Sequence, residues 1–336
     1  MAVTTRSLTL PAALLILVLF PLFGSSFYVG LLTRILILAI FAMSLDLLIG
    51  YTGLVSFGHA AFFGIGGYAL AIAFQDATTI HLWQALPLSL AAALAALVVG
   101  WISIRTSGIY FIMITLAFGQ MFFYYFFESP RYGGDDGIFL FFKPVLMIGT
   151  ESILNLENEN TFYYFALGCL VTGYLLLAMI LRAPFGKVIT AIKANEHRVR
   201  ALGYSINRYK LVSFVIAGTL AGLAGFLEGA HSGYVNPSYM SWHSSGIAIA
   251  IAIVVLGGMG TLYGPIVGAF IVVLLQDFLP SLTEHWQLLF GGIVISVALF
   301  LPRGATSLLP RILSRRQTTR PDSPPPEDGP REPADG

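Results

Sequence analysis

Residues 182–210, RAPFGKVITAIKANEHRVRALGYSINRYK, interrupt a very apolar chain with a long polar segment. This segment, called the basic loop below, carries seven Lys and Arg residues but only one acid, Glu196. Loops rich in Lys and Arg stay on the cytoplasmic side of a membrane. A protein that only anchors or spans a membrane has no use for so long a structured basic loop. The segment therefore predicts a membrane protein to which a cytoplasmic partner binds.

The composition of the 336-residue chain excludes a soluble globular protein. Hydrophobic residues make up 57% and charged residues 10%, whereas about a quarter of a soluble domain is charged. The net charge of +1 gives no argument for a nucleic-acid partner. The single cysteine, Cys169, lies in an apolar run, so it can form neither an internal disulfide nor a metal cluster. A polytopic membrane protein of the all-α class is predicted.

Apolar stretches of about 20 residues, the length that crosses roughly 30 Å of hydrocarbon, predict nine or ten transmembrane helices. Glycines and Pro265 interrupt the eighth and ninth stretches, so this pair forms either two tight spans or a re-entrant segment. The stretches lie near residues 8–23, 31–49, 54–74, 84–103, 109–127, 161–181, 211–229, 245–258, 262–279 and 287–301.

The positions of Lys and Arg predict the orientation of the chain in the cell membrane. Seven of the 18 lie in the basic loop and five more follow the last stretch, whereas the connection 128–160 carries six acids and two basic residues. The basic loop is therefore cytoplasmic and the connection lies outside. With ten spans, both termini are cytoplasmic. Residues 1–304 form the transmembrane domain, and residues 318–336, rich in Pro and acids, form a disordered tail without an assigned function.

The basic loop has the periodicity of an amphipathic helix that ends near Gly203. Such a helix can insert into a groove of another protein, or it can lie on anionic lipid with its lysines extended towards the headgroups. Both interpretations stay open from these residues alone. The apolar face consists of Phe185, Ile189, Ile192 and Val199, and the charged residues that point elsewhere are Lys187, Lys193, Arg198 and Arg200.

The stretch from Gly50 to Ala69, GYTGLVSFGHAAFFGIGGYA, combines many glycines with two polar side chains at membrane depth, Ser56 and His59. One interpretation is that these two residues and Gly58 form a flexible helix start beside a substrate path. The other is plain close packing around a hydrogen-bonded histidine. A zinc site at His59 lacks a second ligand at the required spacing.

A further span carries glycines at spacings of four, three and four, which predicts a tight contact with a neighbouring helix. Glu228, near the outer end of this span, is a candidate for the substrate path, although an acid at the end of a span can also face water. Lone ionisable residues elsewhere could form a proton relay only if they met. The glycines are Gly218, Gly222, Gly225 and Gly229, and the ionisable residues are Arg34, Asp46, Arg105 and Asp277.

Several segments, in the same order along the chain, resemble the permease subunit of branched-chain amino-acid ABC importers. The resemblance extends from Gly50 to Gly304 and leaves out the tail. After the glycine-rich stretch at Gly50, the segments are SGIYFIMITLAFGQ (107–120), YGGDDG (132–137), the basic loop continued to Gly229, VVLGGMGTLYGPIVGAF (254–270) and LFLPRG (299–304).

The resemblance implies a subunit of about ten helices that pairs with a second, homologous permease as a heterodimer. It also implies two cytoplasmic ATPase subunits, a periplasmic or lipid-anchored binding protein, and the lipid of the inner membrane. The chain itself has no nucleotide-binding G-x-x-x-x-G-K-[ST] motif, so it cannot bind ATP through that motif and ATP hydrolysis is expected in the partners. The chain is expected to be a transport subunit and not an enzyme. No cofactor, metal or catalytic residue is expected.

By this resemblance the basic loop corresponds to the coupling segment that contacts the ATPase, with Glu196 and Gly203 as its acid and glycine. Their spacing is seven rather than six residues, and His197 and Arg198 replace the two alanines expected after the acid. The residues predicted to couple to the ATPase are Phe185, Gly186, Lys187, Glu196, Arg198, Arg200 and Gly203.

The predicted function is a translocation path for branched-chain or other hydrophobic amino acids that opens by alternating access. A permease of a urea or short-amide importer is an alternative with the same machinery. An ion-coupled secondary transporter is a different class, which requires paired charges at mid-membrane and no ATPase-docking loop. The sparse charge in the spans and the basic loop both disfavour it.

Overall fold

The computed structural model describes residues 14–74, 87, 89–140, 143, 145–148, 151–241, 246–301 and 304. The predicted tail, the basic residues after the last apolar stretch and the start of the first stretch lie outside these residues. Within the described residues the membrane part is helical, and residues 14–19 are helical as well. The labelled helices are α1 (Ser26–Asp46), α2 (His59–Phe74), α3 (Ala91–Ser103), α4 (Ile109–Phe127), α5 (Glu159–Arg182), α6 (Pro184–Ala194), α7 (Glu196–Ala201), α8 (Ile206–Ser232), α9 (Gly246–Gly257), α10 (Gly264–Leu282) and α11 (Trp286–Phe300).

Helix lengths divide the predicted spans into two groups. Among the described residues, five are long and apolar enough to cross a membrane by length and composition, namely α4, α5, α8, α10, and α1 together with the π-helical turn Leu47–Thr52 that continues it. In the same part of the chain, the apolar helices α2, α3, α9 and α11 are shorter. The span expected from residue 54 begins only at His59, because Gly53 adopts a left-handed conformation (φ +78°) and ends the preceding turn.

The ambiguous pair of apolar stretches forms two separate helices, α9 and α10. They run antiparallel, and their backbones are in contact. A β-carbon built at Gly257 would overlap the carbonyl of Gly264, and one at Gly268 would overlap that of Ile253. The connecting turn uses positive φ angles at Gly258 (+113°) and Gly260 (+76°). Glycine is thus required both for the turn and for the contact.

Helix α8 lies at the centre of the bundle, against α1, α2 and α3. The four regularly spaced glycines of α8 are all buried. A β-carbon at Gly225 would overlap the carbonyl of Phe63 in α2, and one at Gly222 would overlap the side chain of Ala92 in α3. In α2, a β-carbon at Gly66 would in turn overlap the carbonyl of Gly222. The predicted tight helix contact is therefore confirmed.

Two small antiparallel sheets lie at the end of the bundle opposite the basic loop. Strand β1 (Ile138–Phe139) pairs with β4 (Tyr234–Val235), which follows α8 directly. Strands β2 (Val145–Ile148) and β3 (Glu151–Asn155) form a hairpin. The pairing of β1 with β4 joins the connection 128–160 to the segment after α8.

Candidate coupling site and transport path

The basic loop folds into two helices, α6 and α7, and the expectation of one continuous helix is wrong. Asn195 adopts an extended conformation (φ −161°, ψ 101°), and its side-chain oxygen accepts a hydrogen bond of 3.1 Å from the amide of Arg198. This N-cap starts a new helix because it satisfies an amide that has no partner in the first turn. Gly203 (φ +86°) follows the end of α7, close to the predicted stop.

The apolar residues of the two helices nevertheless share one side, and this side faces the protein itself. Ile189, Ile192 and Val199 are 0–5% exposed, and the last two pack with Ile206 at the start of α8. The ring of Phe185 stacks on that of Tyr209, with 5.5 Å between centroids. The apolar face is therefore occupied internally. The surface left for a partner is charged and carries Lys187, Arg198 and Arg200.

Glu196 closes the corner between α7 and α8. Its carboxylate lies 2.7 Å from the ammonium of Lys210 and 3.1 Å from the guanidinium of Arg200. The Lys210 side chain is only 7% exposed, whereas that of Arg200 is 64% exposed. At the other corner, between α5 and α6, a β-carbon at Gly186 would overlap the carbonyl of Leu181, so only glycine permits this tight turn.

Sequence reasoning missed a second attachment of the basic loop, made by Lys193. Its ammonium donates a hydrogen bond of 2.5 Å to the carbonyl oxygen of Gly50 in the π-helical turn. Nearby, the amide of Gly260 donates to a carboxylate oxygen of Asp46 over 2.8 Å. Sequence separations of 143 and 214 residues left no local signal for either contact. A cavity of about 360 Å³ that is lined in part by Lys193 lies between the α6–α7 corner and residues 52–54.

The path candidates Ser56, Gly58 and His59 lie inside the helix bundle of this chain. His59 is fully buried, its Nε2 atom lies 2.8 Å from the hydroxyl of Ser44, and its ring stacks on Phe41. The hydroxyl of Ser56 is also buried and has no hydrogen-bond partner among the described residues. A β-carbon at Gly58 would overlap the carbonyl of Thr115 in α4. These contacts are those of close packing around a histidine that has one hydrogen bond.

Glu228 differs from the other path candidates because it is partly exposed. It lies four residues before the end of α8, and one carboxylate oxygen is buried without a hydrogen-bond partner among the described residues. Its charged neighbour is Arg34, an exposed residue of α1 that also interacts electrostatically with His231 and Tyr239. Arg34 thus acts electrostatically on Glu228 near the outer end of the bundle, without forming an ion pair with it.

The four lone ionisable residues of the spans do not form a relay. Among the described residues, no ion pair joins any two of Arg34, Asp46, Arg105 and Asp277. The guanidinium of Arg105 lies over the ring of Trp101, 4.4 Å from its centroid, and Asp277 is exposed on α10. Within the same part of the chain, no group of three or more His, Cys, Asp or Glu residues could hold a metal ion.

Comparison with known proteins places the chain among transport permeases. The family model described as "Branched-chain amino acid transport system / permease component" matches residues 27–299. The chain is 30% identical to the high-affinity branched-chain amino acid transport system permease protein LivM of Salmonella typhimurium, over 89% of this chain and 74% of that protein. The LivM protein of Escherichia coli K12 gives the same values.

Sugar permeases are related over a shorter part of the chain. The ribose import permease protein RbsC of Escherichia coli K12 is 29% identical over 43% of this chain and 50% of its own length. No solved structure matches the chain significantly. Because the family match covers most of the chain and the LivM proteins are similar over nearly all of it, this multi-pass membrane protein belongs to the family of permease components of branched-chain amino acid transport systems.

Proposed function

We propose that this chain is a membrane subunit of an ATP-driven importer and forms the path for branched-chain or other hydrophobic amino acids. The observation that carries the proposal is the construction of the basic loop. Its apolar side is buried against its own transmembrane helices, and Lys193 and Glu196 attach it to them, while its outer surface is charged. A loop of this kind can receive a push from a partner and pass it to the bundle.

The partners in this proposal are a second, homologous permease, two cytoplasmic ATPase subunits and a binding protein that delivers the substrate. ATP-driven closure of the ATPases displaces α6 and α7, and the path then opens to the opposite side. A ligand can bias such an equilibrium only through its different affinities for the two states. Selectivity therefore lies mostly in the binding protein, and the permease supplies the passage.

Ten crossings with both termini in the cytoplasm fit the contacts at the two ends of the bundle. The hydroxyl of Tyr163, near the start of α5, donates to the carbonyl of Leu17, which supports an outer location for the end of the first span. At the other end, a β-carbon at Gly304 would overlap the amide of Gly258, close to the turn that contacts Asp46. The last described residue therefore lies at the end of the bundle that carries the basic loop.

The path itself is proposed to pass Glu228, the candidate that is not enclosed within the chain. An acid in an apolar span is costly in contact with acyl chains, so this partly exposed residue, one carboxylate oxygen of which is buried, fits an aqueous passage or an interface with the second permease. Glu228 and Arg34 would provide opposite charges for the ammonium and carboxylate of an amino acid near the outer mouth. Ser56, Gly58 and His59 are assigned to the packing that supports this passage.

The proposal is tested with the complete transporter reconstituted in liposomes with its binding protein. Uptake of radiolabelled leucine, isoleucine and valine should require ATP, and urea and ribose should remain outside. Charge reversal at Arg198 and Arg200 together should remove the ATPase from the purified complex, whereas reversal at the exposed Arg131 of the connection 128–160 serves as the control. Uptake by the isolated permease without any ATPase, or uptake of urea in preference to leucine, would contradict the proposal.

A further inference from the structure

We infer that Lys193 and Asp46 are positioning residues that hold three segments together as one rigid unit: α6, the π-helical turn after α1, and the turn 258–263 between α9 and α10. A displacement of α6 would then move the α9–α10 pair directly. This inference rests on the proposed function, because it assumes that a partner displaces α6. It adds the route by which the displacement enters the bundle.

The first contact of this unit joins α6 to α1. Lys193 belongs to the exposed surface of α6, yet its ammonium turns back to the carbonyl of Gly50 at 2.5 Å. The carbonyl groups at the end of a helix lack intrahelical partners and attract a positive charge. The aliphatic stem of Lys193 lies 3.1 Å from the position of a β-carbon at Gly53, so the side chain contacts Gly53 as well as Gly50.

The second contact joins α1 to the α9–α10 turn. Asp46 is 2% exposed, and one carboxylate oxygen accepts the amide of Gly260 at 2.8 Å while the other has no hydrogen-bond partner among the described residues. Lys193 attracts the same carboxylate electrostatically. A buried carboxylate is unfavourable unless it is compensated, and the interactions that partly offset its burial come from the two segments that it joins.

Gly50 shows how closely the three segments meet. A β-carbon at this position would overlap the carboxylate of Asp46 and lie 2.5 Å from the amide of Gly260. The backbone of Gly50 therefore lies directly against that of Gly260, with the Asp46 carboxylate beside them, and the carbonyl of Gly50 accepts the hydrogen bond from Lys193. Backbone segments in direct contact move together when one of them is displaced, since packed interiors do not deform continuously.

A distance measurement on the assembled transporter tests the rigid unit. Spin labels are placed at Ala191→Cys on α6 and Met259→Cys in the turn, both exposed positions, in a Cys169→Ser background. The distance between the labels should be the same in the nucleotide-free and ATP-trapped states. In Asp46→Ala or Lys193→Met it should broaden and change between the states. A clear change of this distance in the complex that retains Asp46 and Lys193 would overturn the inference.

A second measurement, without labels, counts the substrate molecules imported per ATP hydrolysed. Lys193→Met and Asp46→Ala should lower this ratio about fivefold or more, the lower range of coupling between distant sites, while ATP hydrolysis continues. Lys193→Arg keeps a donor and Asp46→Asn keeps an acceptor, so both should restore most of the ratio. An unchanged ratio in Lys193→Met would contradict the inference. Loss of ATP-dependent uptake in the unsubstituted complex would instead contradict the proposed function.

Discussion

Lys210 and Glu196 form an ion pair of 2.7 Å that fixes α7 of the basic loop to the first turns of α8. The lysine is nearly buried and the glutamate about one-third exposed, so the pair lies at the boundary between the bundle and solvent. Helix α8 is also the central helix of the bundle. The pair therefore connects the surface proposed for the ATPase with the helix that packs against α1, α2 and α3.

Replacing Glu196 should uncouple the basic loop. Glu196→Ala leaves the Lys210 ammonium buried without its partner, which costs about 1–3 kcal/mol. We expect leucine uptake by reconstituted transporter to fall strongly while the protein stays inserted, and Glu196→Lys to abolish it. Asn207→Ala is the matched control, because this exposed residue of the first turn of α8 takes no part in the ion pair. Full uptake by Glu196→Lys would exclude a coupling role.

The effect of a substitution at Gly203 on uptake should depend on how well the new residue adopts a positive φ angle, and not on the size of its side chain. No atom lies within 4 Å of a β-carbon at this position, but the positive φ angle (+86°) disfavours residues with a β-carbon by about 1–2 kcal/mol. Asparagine tolerates this conformation well. Gly203→Asn should therefore retain most of the uptake, whereas Gly203→Val and Gly203→Pro should lose it. Equal uptake by the Asn and Val variants would show that the conformation of this turn is unimportant.

The contact between α2 and α8 should be sensitive to a single methyl group. Gly225→Ala places its β-carbon on the carbonyl of Phe63, and such overpacking costs about 1–3 kcal/mol. The melting temperature of the detergent-solubilised protein should fall. Gly168→Ala in α5 is the control, since no atom lies within 4 Å of its β-carbon. If both variants melted alike, the two backbones would not be in contact.

His59 should behave as a structural residue. Ser44→Ala removes the hydrogen bond to Nε2, and a buried polar group without its partner costs about 1–3 kcal/mol. We expect a lower melting temperature for Ser44→Ala and His59→Phe, with an unchanged KM for uptake by the molecules that remain folded. His285→Phe, at an exposed position, should change neither quantity. A changed KM at normal stability would return His59 to the substrate path.

Glu228 should show the opposite behaviour. Glu228→Gln keeps the shape of the side chain and removes its charge, so the melting temperature should change little. Leucine uptake should fall about tenfold, equivalent to about 1.4 kcal/mol. Glu284→Gln, in the exposed connection before α11, controls for the loss of an acid at this side of the protein. Normal uptake by Glu228→Gln would remove this residue from the proposed path.

The sequence predicted the long helices well because their ends carry strong local signals. Helix α5 stops before Pro184, and α8 begins after the polar end of the basic loop, so hydropathy and breakers agree there. The glycines of α8 predicted their contact because a spacing of four, three and four places them on one face of a helix.

Hydropathy and periodicity missed the break at Asn195 and the contacts of Lys193. The apolar periodicity continues through the break, from Ile192 to Val199, so a search for one amphipathic face joins the two helices. An N-cap residue did precede Glu196, and reading Asn195 as a helix start would have found the boundary. Lys193 meets Gly50 only through tertiary packing, and neither periodicity nor spacing records such a pairing.

The seam of touching backbones between α2 and α8 limits how this subunit can change shape. Two helices without side chains between them can neither approach each other further nor slide along each other, because their carbonyl groups already touch the facing backbone. Helices α2 and α8 must therefore move as one rigid body, and the change between inward- and outward-open forms has to occur in the helices around them. Superposing the two forms on α2 and α8 would then locate the hinges in the outlying helices.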